Sequence, residues 1–130
     1  NNRCNYLTME NNSNIIPINV IKCNGGKKMA YESKFKSADI DELFEAVLTL
    51  EDQEDCYRFF EDICTINEIH AISQRLQVAK LLSEKKTYSE IEGVTKASTA
   101  TISRVNKYLV YGAEGYQRIL RRLKDRKNNI

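Results

Sequence analysis

Thr99, Ala100, Ser103, Arg104 and Lys107 stand in the stretch Lys86–Leu109, KTYSEIEGVTKASTATISRVNKYL, and their types and spacing suit contact with nucleic acid. On a helix that starts after Ser98 they share the outward face, because Ile102, Val105 and Leu109 recur at i, i+3 and i+7 and take the inward one. Short side chains in a first turn let a helix press close to base edges. Thr and Ser bring hydroxyls there, and Ala100 or a threonine methyl can touch a thymine methyl. Arg104 and Lys107 lie further along and suit phosphates or a bound anion. The DNA-facing set expected from this stretch is Lys96, Ser98, Thr99, Ala100, Thr101, Ser103, Arg104 and Lys107.

Two helices must position that set. Thr87 followed by Glu90 is the S/T-x-x-E pattern of a capping box, in which the hydroxyl caps the N3 amide and the carboxylate reaches back to the N-cap amide. The first helix is predicted over Tyr88–Thr95, with Ile91 and Val94 inward. Lys96–Ala97 makes the turn, and Ser98 is the N-cap of the second helix. Helix, short turn and a small-residue helix start is the helix-turn-helix arrangement, whose second helix enters the major groove. The bland alternative is a helical hairpin in a bundle.

The chain of 130 residues is one domain with a real core. Its net charge of +2 hides a lopsided distribution. Glu32–Glu68 holds twelve acidic and three basic residues, whereas Lys96–Ile130 holds nine basic and two acidic ones. A basic end of this kind fits a phosphate backbone; the plain alternative is a dipolar protein whose ends pair with each other. Cys4, Cys23, Cys56 and Cys64 form no C-x-x-C and meet a single His, so no metal site is expected. Cys56 and Cys64 read as small buried apolar groups rather than a disulfide. No apolar run reaches the length of a membrane span and no secretory signal is visible, so a cytoplasmic protein is expected. His70 lacks a nucleophile or a second His beside it in the pattern. No catalytic residue is expected.

Asn1–Lys28 holds eight Asn, the lone Pro17 and a Gly-Gly pair, without helical periodicity. The expectation is a translated upstream segment with the native start at Met29. Gly25–Gly26 lies two codons before that methionine, where GGAGG would be the ribosome-binding site itself. An added leader or a disordered arm are the other readings. The domain proper is then 29–130. Its pattern is helical throughout: Asp39 to about Leu50 with Ile40, Leu43, Phe44, Val47 and Leu48 on one face; an acidic start at Glu51–Glu54 and a helix to about Cys64. A capping box at Thr65 and Glu68 opens a long helix to about Lys85, with Ile69, Ile72, Leu76, Ala79 and Leu82 inward. Gly112 stops the second helix of the motif, and a last helix runs from about Gly115 to Arg126 with Tyr116, Ile119, Leu120 and Leu123 inward. Gly93, inside a short helix, either admits close packing or is merely tolerated. Apolar residues on the first three helices exceed what so small a chain can cover, which favours a dimer sharing one core; a monomer with a closed core is the alternative.

Six helices in this order, the run LLSEKKTYSEI after a long third helix, and ASTATISRVNKYL after that, resemble the tryptophan repressor superfamily in its YerC/YecD branch from Firmicutes. The resemblance covers about Tyr31 to Lys127. It implies an all-α, six-helix Trp-repressor-like fold and an intertwined homodimer on a palindromic operator in double-stranded DNA. It also implies an amino-acid corepressor held between the third and fifth helices by two arginines, matched here by Arg104 and Arg75. Val105 stands where the tryptophan repressor has glycine, and Ser89 and Glu92 stand where it presents basic residues to DNA. These departures put tryptophan in doubt as ligand and imply a different operator; the branch's link to histidine biosynthesis suggests histidine instead. Arg104 has a competing role as a phosphate contact.

A transcriptional repressor without enzymatic activity is therefore expected, with no cofactor beyond a corepressor such as histidine or tryptophan. The other reading is a helical protein-interaction module.

Overall fold

The computed structural model describes residues 31–129. Asn1–Lys28 and the start expected at Met29 lie outside them, as do Cys4 and Cys23. Six helices follow one another: α1 (Ala38–Leu48), α2 (Gln53–Ile63), α3 (Ile66–Ser83), α4 (Tyr88–Thr95), α5 (Thr99–Tyr111) and α6 (Gly115–Asn128). Among the described residues there is no strand.

Local chemistry sets where these helices begin. Asp52 accepts the amide of Asp55 at 2.9 Å and starts α2. At α3 the amide of Glu68 donates to Thr65 Oγ1 while the Thr65 amide donates to Glu68 Oε2 at 2.8 Å, so both halves of the capping box are made. Thr87 and Glu90 repeat this at α4, with 2.7 Å for the return bond. Ser98 Oγ accepts the Thr101 amide at 3.2 Å and starts α5.

The ends are equally local. Leu50 falls outside α1 because Thr49 and Leu50 donate to Ala46 and Val47, three residues back, which tightens and closes the last turn. Lys85, expected inside α3, adopts a left-handed φ of 64° and turns the chain instead. Lys86 then donates to Leu81 O and Lys85 to Leu82 O, the paired bonds of a Schellman stop. Gly112 ends α5, where a Cβ would lie 2.2 Å from the Tyr108 carbonyl oxygen. Here glycine is required by space.

The described chain divides into two compact parts at Leu43/Phe44. The first, from Tyr31, is a turn closed by the Lys36 amide on Ser33 O, then the start of α1, with an exposed Lys36–Asp41 ion pair at 3.2 Å. Such a pair contributes little. In the second part α3 packs on α4, α5 and α6, and α5 packs on α4 and α6. Val78, Ala79, Ile91, Ala97, Ile102 and Val105 form the buried core, with Leu81, Leu82, Tyr88, Tyr116 and Leu120 against it. Eight-residue α4 is too short to persist alone. Burying a side chain such as Ile91 contributes about 1.5–3 kcal/mol, and this is what keeps α4 folded.

Three expectations are corrected. Val94 does not turn inward: it is 70% exposed, and Thr95 takes the buried position. The Thr95 hydroxyl donates to Ile91 O at 2.7 Å and accepts the Ala97 amide at 3.2 Å, so its burial leaves no polar group unpaired. Cys56 is exposed and Cys64 half-buried, both as free thiols. Ile72, Leu76, Ile119 and Leu123 are 38–54% exposed although their spacing points them inward. Among the described residues no element covers their apolar stripe. Gly93 has open space where a Cβ would stand, so close helix packing is not its purpose.

Candidate functional site

Three residues, Lys96, Ala97 and Ser98, link α4 to α5. Lys96 takes a left-handed φ of 57°, Ala97 is buried in the core, and Ser98 caps α5. From α3, Gln74 Nε2 donates to Thr95 O at 3.1 Å, tying the turn to the long helix 21 residues upstream in sequence. The turn is therefore fixed from three sides: by its own αL residue, by a buried alanine and by a side chain from α3.

This turn presents the expected DNA-facing residues unequally. Lys96, Thr99, Ala100, Ser103, Arg104 and Lys107 are exposed. Ser98 is exposed, but its hydroxyl is engaged: it accepts the Thr101 amide and donates to Thr101 Oγ1 at 3.1 Å. Thr101 is half-buried. Thr99 Oγ1 donates to the Glu92 carboxylate of α4, a contact the spacing alone did not indicate. Ser98 and Thr101 thus build the helix start, while Ala100 stays exposed and Ser103 makes no side-chain hydrogen bond among the described residues. Ser89, also named from the sequence, is exposed on α4.

Behind the outward face lies a cleft of about 370 Å³, lined by Arg75 of α3, Ala100, Thr101, Arg104, Val105 and Tyr108 of α5, and Tyr116 of α6. Arg75 and Arg104, far apart in sequence, share it. The Arg104 guanidinium lies 5.9 Å from the centre of the Tyr108 ring, within cation–π range. Val105, 2% exposed, belongs to both the core and the lining, to which Tyr108 and Tyr116 also contribute. Two guanidinium groups and two phenol rings thus line one mixed polar and aromatic cleft, a lining in which an anionic group could be bound by the arginines. A larger apolar groove adjoins the cleft through Arg75, Tyr108 and Tyr116 and continues along Ile72, Leu76 and Ile119.

The sequence model described as Trp repressor protein matches residues 38–124. The chain belongs to the Trp repressor family. Its resemblance to YerC of Bacillus subtilis (strain 168), itself uncharacterized, is 52% identity over 92 residues, which is 71% of this chain and 88% of YerC. A crystal structure of a candidate Trp repressor from Staphylococcus aureus superposes with a TM-score of 0.68 at 54% identity, covering 70% of this chain and 91% of that one. A TrpR-like protein from Eubacterium eligens ATCC 27750 gives the same TM-score and identity, over 70% and 94% of the two chains. The six helices are thus the Trp-repressor-like all-α fold, and the family is one of DNA-binding regulators. Its matched span takes in both the α4–α5 turn and the cleft. Among the described residues no helix is long and apolar enough to cross a membrane, and no group of His, Cys, Asp or Glu is disposed to hold a metal ion.

Two structural partners escaped sequence reading. Gln74 carries no motif, and its bond to the turn becomes visible only once α3 and α4 pack together. Glu92 stands out in the sequence only as a departure from the family's basic residues, and its bond from Thr99 becomes visible once α4 and α5 are placed.

Proposed function

We propose that this chain is a homodimeric, sequence-specific repressor that reads DNA through a helix-turn-helix formed by α4 and α5. The observation that carries this is the rigidly held turn, which leaves Ala100 and Ser103 exposed at the start of α5 and Lys96 and Lys107 to either side. N-terminal residues of such a helix meet base edges, and the flanking cations meet phosphates. A palindromic operator with half-sites one DNA turn apart matches two such heads. The homodimer is supported by α1 and α2, which bury no residue of their own. Leu48, Tyr57 and Ile66 are 83%, 63% and 64% exposed, more apolar surface than a stable monomer leaves in water.

The cleft serves as the effector site. Arg75 and Arg104 grip the carboxylate of an amino acid, and its ring enters between Tyr108 and Tyr116 over Val105. The branched Val105 narrows the slot, so histidine fits better than tryptophan. Because Arg104 also lies on α5, occupancy of the cleft and the set of the reading helix are mechanically linked. This cleft contact, rather than a phosphate, is the role the Tyr108 packing favours for Arg104.

The test is a fluorescence-anisotropy titration of the full chain onto its own upstream promoter duplex, at two salt concentrations and with no ligand, histidine or tryptophan. Two lysines per head make about four phosphate contacts, so affinity falls by about a hundredfold or more between 50 and 200 mM salt. Ser103→Glu removes specific binding, and Arg75→Ala removes the tightening by histidine. Salt-insensitive association, or binding indifferent to Ser103→Glu, would instead mark a protein-interaction module.

A further inference from the structure

Glu92 is an anomaly on this surface. Its carboxylate sits in the last turn of α4, where a helix's own dipole disfavours negative charge. Among the described residues no basic side chain pairs with it. Nor is it needed to start α5, which Ser98 already caps. What holds it is the Thr99 hydroxyl, which donates to Oε1 from the first residue of α5; Oε2 has no hydrogen bond among the described residues. A half-buried carboxylate is thereby fixed over the start of the helix proposed to enter the groove, with one oxygen free.

We propose that Glu92, positioned by Thr99, selects a cytosine in each operator half-site. The inference rests on the reading of α5 as the groove-entering helix. In the major groove, guanine O6 and N7 and thymine O4 are acceptors and repel a carboxylate. The cytosine N4 and adenine N6 amino groups both donate to it, but adenine sets its N7 acceptor beside N6 and so disfavours the anion, which leaves cytosine as the matching base. Near phosphates a carboxylate lowers affinity for every sequence, and a base donor at the right place offsets this for one sequence. Glu92 therefore gives specificity at the expense of affinity. Thr99 acts as a positioning residue: its hydroxyl sets the carboxylate, and its own contact with a base is secondary.

The experiment is selection from a randomised operator library with the full chain and four variants, followed by titration of single-base-pair changes. The native chain recovers a motif with one fixed C·G pair per half-site. Glu92→Ala reduces the preference at that pair by roughly tenfold while the rest of the motif persists. Glu92→Gln moves the preference toward adenine, whose N6 and N7 match an amide. Thr99→Val loses the cytosine preference as Glu92→Ala does, and Thr99→Ser restores it; a purely bracing role for the pair would not move the preference at one base pair alone. A native motif that is unchanged in Glu92→Ala, or a uniform gain in affinity for all sequences, overturns the proposal and leaves the repressor reading standing. Recovery of no motif by the native chain overturns both.

Discussion

Val78, Ile91 and Ile102 are wholly enclosed by their own chain, whereas Leu48, Tyr57 and Ile66 leave more than half of their surface in water. The contrast does not lie in local sequence signals. Asp52 and Thr65 cap α2 and α3 as completely as Thr87 and Ser98 cap α4 and α5. It lies in what each amphipathic face finds to pack on. The second half of α3 meets α4, α5 and α6, and a core closes around Ala97 and the reading turn. α1, α2 and the first half of α3 carry equally good apolar stripes and bury nothing. One region is finished by its own chain; under the dimer proposed above, the other is the prepared surface that a second copy would cover.

The largest effect is expected where that prepared surface is broken. Phe44→Glu with Ile72→Glu places charges in the apolar stripe and should cost on the order of 3 kcal/mol or more. In the native protein the melting temperature should rise with protein concentration, and in this variant it should not; calorimetry at several concentrations checks both. A melting temperature independent of concentration in the native protein would mean that the exposed stripe has no partner.

Within the finished region, two glycines should respond in opposite directions. Gly112→Ala forces a Cβ against the Tyr108 carbonyl and should destabilise by about 1–3 kcal/mol. Gly93→Ala meets nothing and should stabilise by about 1 kcal/mol through helix propensity. Urea denaturation of the two variants measures both signs. Thr87→Ala, which removes one capping box, should cost about 1 kcal/mol in the same assay.

The smallest effect concerns acid. The Thr65 backbone amide, and then its hydroxyl, hold the Glu68 carboxyl below the usual glutamate range. The Thr87 amide and hydroxyl do the same for Glu90, with Lys86 adding a smaller pull. A folded value depressed below the unfolded one means stability present above about pH 4.3, the ordinary glutamate value, and lost as pH falls through the depressed value. Both groups are exposed, so the loss is slight. Thermal melts from pH 6 to pH 3 should show a weaker acid dependence in Thr87→Ala than in the native chain, and an equal dependence would detach the caps from it.

Much of the described fold was legible because caps are local. Thr87 with Glu90, Thr65 with Glu68, and Ser98 each announce a helix start within four residues, and α4 begins and ends where the spacing puts it. Val94 rather than Thr95 was expected inward because hydropathy counts threonine as polar, while the Thr95 hydroxyl is satisfied within its own helix. The exposed stripes of α1 to α3 were read as a surplus of apolar residues, which is what they are in one chain. Of the site, the outward face of α5 followed from periodicity. The meeting of Arg75 with Arg104 came from family resemblance alone, since the 28 intervening residues carry no local signal of it. Glu92 on Thr99 needed the turn geometry, which no spacing rule supplies.

The most direct measurement of the central claim is native mass spectrometry of the chain mixed with its promoter duplex, because it reads the two regions together. The prepared surface should make the dimer and the finished heads should hold the DNA, so the predicted species is two chains on one duplex. Ser103→Glu should leave the free dimer and remove that species. A single chain per duplex, or a dimer that never carries DNA with or without histidine, would contradict the assignment of a dimeric repressor.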